Sequence, residues 1–239
     1  MLAVVLLLVA LASFGWFLRG DRSEYARMKA LTDTRERQRR YWVWTVKAFL
    51  LFGALSVVEL VLLGRADAPL RFPDEFAGVA AGLPQLDDFS LLPIAGAAVI
   101  GGIVGSVVVG FIERRRKTAV KVGDFDALLP RNGREMAFAA LLSVNAGLSE
   151  EMFFRLLIPL LVMVLTGSAV AGFAFAAILF AAAHLYQGWK GVAATFVLGL
   201  VMTGFYLFSR SLLVVIAFHA IIDLNALIVR PALGRLIRT

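Results

Sequence analysis

The chain has 239 residues, of which 60% are hydrophobic and 17% charged, too apolar a balance for a soluble domain that must cover its surface with polar groups. Its formal charge of +7 fits basic membrane flanks and anionic headgroups, and nothing else in the sequence points to nucleic acid. Without cysteine, disulfides, a thiolate nucleophile and Cys-containing metal sites are excluded, which leaves carboxylate, histidine and hydroxyl chemistry.

Apolar runs long enough for a hydrocarbon core of about 30 Å predict spans near 2–18, 41–63, 91–112, 169–186, 190–208 and 210–229. The first run contains Ala10-Leu11-Ala12, a cleavage-like sequence, but no basic residue precedes it, so a retained anchor is expected. Segment 134–165 is longer and is interrupted by Glu150, Glu151 and Arg155. It reads as an amphipathic lead-in from Arg134 to about Gly147 and then one span, 148–165. The expected fold is therefore all-α, a polytopic transmembrane helical bundle of about seven spans forming one domain over 1–239.

Alternate loops test this topology through their basic residues. The loops Arg19–Arg40 and Arg114–Arg134, Lys190 and the C-terminal arginines fall on one side, and only Arg65, Arg71 and Arg210 fall on the other. The poor side also carries the acidic loop 64–90, with Asp67, Asp74, Glu75, Asp87 and Asp88. An outside N-terminus and a cytoplasmic C-terminus follow. Splitting 134–165 into two spans would invert everything after it and spoil this asymmetry.

Ionisable side chains at membrane depth cost at least a few kcal/mol and so mark cavities or partners. Both histidines of the chain, His184 and His219, lie in apolar surroundings. His219 and Asp223 are four apart and share a helix face, where the carboxylate can orient the imidazole. Glu151 and Arg155 have the same spacing and are expected to form a structural ion pair, whereas Glu150 is turned about 100° away and is free to face another helix. A glutamate beside histidines in a low-dielectric pocket can hold a water and take its proton. Lys47 and Glu59 are expected to snorkel toward opposite interfaces. Trp42, Trp44, Tyr186 and Trp189 are expected to act as interfacial anchors. Gly101-Gly102-Ile103-Val104-Gly105 lies within a span and is expected to allow close helix packing rather than bind phosphate.

Glu150-Glu151-x-x-x-Arg155, then Phe180-x-x-x-His184, then His219-x-x-x-Asp223 resembles the three ordered motifs of the CAAX-protease and bacteriocin-processing family, also called Abi. The motifs cover about 148–223, within a family-like core of about 134–229. The resemblance implies a helical bundle with a cavity open toward the cytoplasm and an intramembrane endopeptidase acting on a membrane-anchored peptide or protein, lipidated or not. It also implies that Glu150 and His184 activate water, that His219 and the residue at 223 stabilise the oxyanion, and that Glu151, Arg155 and Phe180 support them. The prenyl-protein proteases of the family have Asn where this chain has Asp223; an ionised carboxylate is a poor oxyanion donor, so Asp223 is expected to orient His219 or to be protonated. No cofactor is expected. Zinc at Glu150, His184 and His219 is the alternative, but the spacing is not that of a His-Glu-x-x-His helix. A non-enzymatic reading, a proton-coupled transporter or an immunity or scaffold protein of the same fold, competes with the protease. Short loops favour a prokaryotic inner membrane.

Overall fold

The computed structural model describes residues 1–85 and 123–233, together with isolated helical positions between Pro93 and Arg115. Every regular element among the described residues is helical. Helix α1 is Leu2–Leu18, α2 Asp21–Ala30 and α3 Thr34–Leu62, the last with a π-helical stretch at Phe49–Ala54. Helix α4 runs without a break through Gly133–Glu151, a π-helical Met152–Leu157 and Ile158–Thr166. Then come α5, Ala169–Ala182, α6, Gly188–Ser209, and α7, Leu212–Leu224, which continues as a π-helical Asn225–Val229. The expected span at 91–112 lies largely outside the described residues.

Helix starts follow local capping chemistry. The Asp33 side chain accepts from the Glu36 backbone N–H, Asn132 from Glu135, Ser168 from Ala171 and Ser211 from Val214, each satisfying an otherwise orphaned donor. Four described helical stretches, Leu2–Ala30, Thr34–Leu62, Leu185–Ser209 and Leu212–Leu233, are long and apolar enough to cross a membrane, and Ala169–Ala182 is a shorter apolar helix. Such stretches mark an integral membrane protein. The lead-in and span expected at 134–165 form one helix. Pro159 lies just beyond its π turn, where a missing backbone N–H is tolerated because the regular ladder is already interrupted.

In lipid the outside of a bundle is as apolar as its inside, so size and shape decide packing. Along α1, Ala3, Leu6, Ala10 and Phe14 are buried, while Val5, Leu8 and Trp16 point outward. The Phe14 ring meets Phe154 edge-on at 6.1 Å, and Phe52 of α3 lies 4.8 Å from Phe153 and 5.4 Å from Phe154, so the π turn of α4 sits in an aromatic core. Gly147 lets α4 approach α7 closely. A Cβ there would lie 2.9 Å from the Ile216 carbonyl oxygen and 3.0 Å from the Ala220 nitrogen. At the end of the bundle where α3 finishes, Phe72 and Phe76 from the following loop cover Tyr206, with Phe76 also 4.9 Å from Phe173.

At the opposite end a buried polar hub joins α3 to α4. Arg37, 3% exposed, donates from Nε to Glu135 at 3.0 Å and from its terminal nitrogens to the carbonyls of Met28, Ala127 and Leu129. Glu135 also accepts from Thr34 and from the Arg131 backbone. This fixes loop 123–132 over the bundle. Glu59 departs from expectation. It is 1% exposed and neither carboxylate oxygen has a hydrogen bond among the described residues, so it is enclosed in the bundle and does not snorkel.

Candidate active site

A cavity of about 340 Å³ opens between α3, α4, α6 and α7, and Glu150, His184, His219 and Asp223 all line it. Residues 69 apart along the chain thus share one space because α4 and α7 lie against each other at Gly147.

Glu150 leaves the last regular turn of α4 just before the π stretch. Its Oε2 is buried and has no hydrogen-bond partner among the described residues, an arrangement that leaves an acceptor aimed at the cavity contents. Its neighbour Glu151, 0% exposed, is turned about 100° from it, as the helical period requires. The pairing of Glu151 with Arg155 is present, Oε2 to Nε at 3.1 Å. The sequence did not announce the second partner. Glu151 Oε1 lies 2.6 Å from Nδ1 of His219, so this carboxylate bridges Arg155 and the histidine of another helix. A carboxylate oxygen only accepts, so Nδ1–H of His219 is the donor. Among the described residues the terminal nitrogens of Arg155 have no hydrogen-bond acceptor; instead its guanidinium lies over the Phe180 ring at 4.2 Å.

His219 and Asp223 share a face, as their spacing demands, but Nε2 and Oδ2 are 3.7 Å apart, longer than a hydrogen bond. Asp223 is therefore a flanking charge in this geometry, and the direct orienting contact on His219 comes from Glu151.

His184 differs from expectation in position. Helix α5 ends at Ala182, and His184 starts the 3₁₀ turn Leu185–Gln187, so it sits beyond the helix end and not within a span reaching 186. Its Nδ1 is 2.8 Å from the Phe180 carbonyl oxygen. A carbonyl only accepts, so Nδ1 carries the proton and, in the neutral ring, Nε2 keeps its lone pair. Phe180 packs against both imidazoles, 4.9 Å from His184 and 6.1 Å from His219. One phenyl ring therefore spaces two histidines and covers Arg155.

The cavity mouth holds charges whose partnership has no sequence signature. Glu24 of α2 accepts from the Trp44 indole N–H at 2.9 Å and pairs with Lys47 at 3.5 Å, and Lys47 also donates to the Phe17 carbonyl. Lys47 and Trp44 are thus cavity residues, where the sequence suggested a snorkelling lysine and an interfacial ring. Tyr186 likewise faces the cavity, whereas Trp42 and Trp189 are exposed as anchors would be. Among the described residues no group of three His, Asp or Glu side chains is placed to share a metal ion, so the Glu150, His184, His219 set does not form a zinc site in this geometry.

Comparison with known proteins places these residues in one family domain. Residues 132–225 match the model described as Rce1-like, type II CAAX prenyl endopeptidase Rce1-like. No curated protein and no solved structure gives a significant match. The matched stretch begins at the Asn132 cap of α4, takes in both glutamates, both histidines and Asp223, and ends on α7. Residues 132–225 are therefore an Rce1-like domain, which matches the CAAX-protease and bacteriocin-processing family.

Proposed function

We propose that this protein is an intramembrane endopeptidase that hydrolyses a peptide bond of a membrane-associated protein or peptide near the cytoplasmic side, by a water activated between Glu150 and His184. The observation that carries the reading is the buried Oε2 of Glu150, without a hydrogen-bond partner among the described residues, in the same cavity as both histidines.

In this mechanism Glu150 takes a proton from the water, and the Nε2 lone pair of His184 helps to hold that water in line. The hydroxide oxygen adds to the scissile carbonyl carbon, and the carbonyl π electrons move onto its oxygen. His219 stands on that side. With Nδ1–H given to Glu151, a second proton on Nε2 makes the ring a cation between two carboxylates and a donor to the oxyanion. Collapse of the intermediate breaks the C–N bond, and the proton held by Glu150 passes to the leaving amine. Glu151, Arg155 and Phe180 are positioning residues. They set the ring of His219 and its distance from His184; Glu151 and Arg155 act from behind the cavity wall and Phe180 from within it.

We read the chain as one membrane domain with its N-terminus outside and its C-terminus cytoplasmic, in a prokaryotic inner membrane. Its basic inner loops support that orientation. Purified protein in detergent, incubated with a panel of membrane-tethered peptides with and without lipid groups, tests the reading when cuts are located by mass spectrometry. Cleavage at a defined bond that survives EDTA is expected. Loss with EDTA and recovery with added zinc would overturn the metal-free mechanism, and absence of any cut across the panel would count against the protease.

A further inference from the structure

The oxyanion side of this site lacks a second donor. His219 Nε2 supplies one, but position 223 holds an acid that, when ionised, can only accept. The hydroxyl of Tyr186 meets this need. Tyr186 lies in the turn directly after His184, and its side chain lines the cavity together with Glu150, His219 and Asp223. Its oxygen accepts a hydrogen bond from Gln187 Nε2 at 3.1 Å, and no acceptor among the described residues takes its proton. Asp21, Glu150 and Asp223 all act electrostatically on that hydroxyl, which puts it in the field of the reacting groups.

The ring is also held in place, as a preorganised donor must be. It sits between Tyr25, with centroids 4.9 Å apart, and His184, at 6.1 Å. Gln187, which supports the hydroxyl, is packed against Gly191, where a Cβ would lie only 2.4 Å from its own Cβ. The Gln187 carbonyl accepts from the Asp124 backbone N–H at 2.9 Å, which ties the turn to loop 123–132. Such restraint is more than an interfacial anchor requires.

From these contacts we infer that Tyr186 is a further catalytic residue, whose phenol O–H donates a hydrogen bond to the oxyanion alongside His219. The proton stays on the phenol throughout; the bond strengthens as negative charge develops on the carbonyl oxygen. This rests on the water-activation reading above.

Tyr186→Phe keeps the ring and removes the donor. The variant is expected to lose kcat by a factor on the order of 10²–10³ with KM unchanged. A second measurement does not need turnover. Binding of a peptide whose scissile amide is replaced by a tetrahedral phosphinate is compared with binding of the parent peptide, each to wild type and to Tyr186→Phe. The substitution should weaken the phosphinate and leave the parent peptide unaffected. Tight phosphinate binding by wild type that Tyr186→Phe leaves unchanged, or equal weakening of both ligands, overturns the tyrosine role alone. A wild type that neither cleaves nor prefers the phosphinate overturns the water-activation reading and the tyrosine with it.

Discussion

Glu151 carries two contacts at once, and separating them is informative. Its Oε2 neutralises a fully buried Arg155 at 3.1 Å, and its Oε1 accepts from His219 at 2.6 Å. Breaking a buried pair by removing one partner leaves an uncompensated charge and costs roughly 3–5 kcal/mol. Glu151→Gln and Arg155→Met should each lower stability by about that amount, read as shifted unfolding curves in mixed detergent micelles. The double variant removes both charges, so it should lose well under the sum of the two, with a coupling of about 2 kcal/mol or more. Activity should behave differently. Without the carboxylate on Nδ1 the His219 ring loses its fixed tautomer, so peptide cleavage should stay low in the double variant although stability returns. Additive destabilisation would refute the buried pair, and recovery of cleavage with stability would refute the positioning of His219 by Glu151.

Two further predictions follow from the packing and the hub. Gly147→Ala places a Cβ 2.9 Å from the Ile216 carbonyl oxygen, a backbone atom that cannot rotate away, so α7 must shift. Overpacking of this kind costs about 1–3 kcal/mol, and because α7 carries His219 the melting temperature and the cleavage rate should fall together; an unchanged rate would show that the α4–α7 spacing does not set the site. For Glu135, in the first turn of α4 ahead of the apolar stretch, burial raises the carboxyl, but hydrogen bonds from the Arg131 backbone, Arg37 and Thr34 and the Arg37 charge outweigh it and hold the group below the ordinary carboxylate range. Its folded value lies below its unfolded one. The contribution is therefore fully present above about pH 4.3 and lost as pH falls through the folded value. Protection of loop 123–132 from proteolysis should collapse on acidification in the wild type. Glu135→Gln should be loose already at pH 7, with little further change in acid; an identical acid profile in the two proteins would contradict the assignment.

Much of the architecture was legible because lipid imposes simple rules. Apolar length marked the spans around α1, α3, α6 and α7, and the capping residues Asp33, Asn132, Ser168 and Ser211 stand where helices start. The i, i+4 spacings placed Glu151 beside Arg155 and His219 on the face of Asp223. Partnerships between helices had no such local signal. Nothing in the order of residues says that Glu151 meets His219 68 positions away, that Glu24 joins Trp44 and Lys47, or that Glu59 is enclosed without a hydrogen bond. The end of α5 before His184 was also hidden, since Ala183, Leu185 and Tyr186 continue the apolar run while the backbone turns into a 3₁₀ loop. Tyr186 reads as an interfacial anchor in the sequence for a related reason. Aromatic residues at span ends ordinarily meet headgroups, and only the cavity distinguishes this one from Trp189.

The central claim is that the Glu150 carboxylate activates the attacking water. Single-turnover cleavage of a membrane-tethered peptide by wild type and by Glu150→Gln, both reconstituted in the same lipid vesicles, tests it most directly. The carboxamide keeps the size of the side chain and its place in the cavity but cannot take a proton, so peptide binding should persist while the chemical step is lost. Cleavage by Glu150→Gln at a rate near that of the wild type would contradict the account.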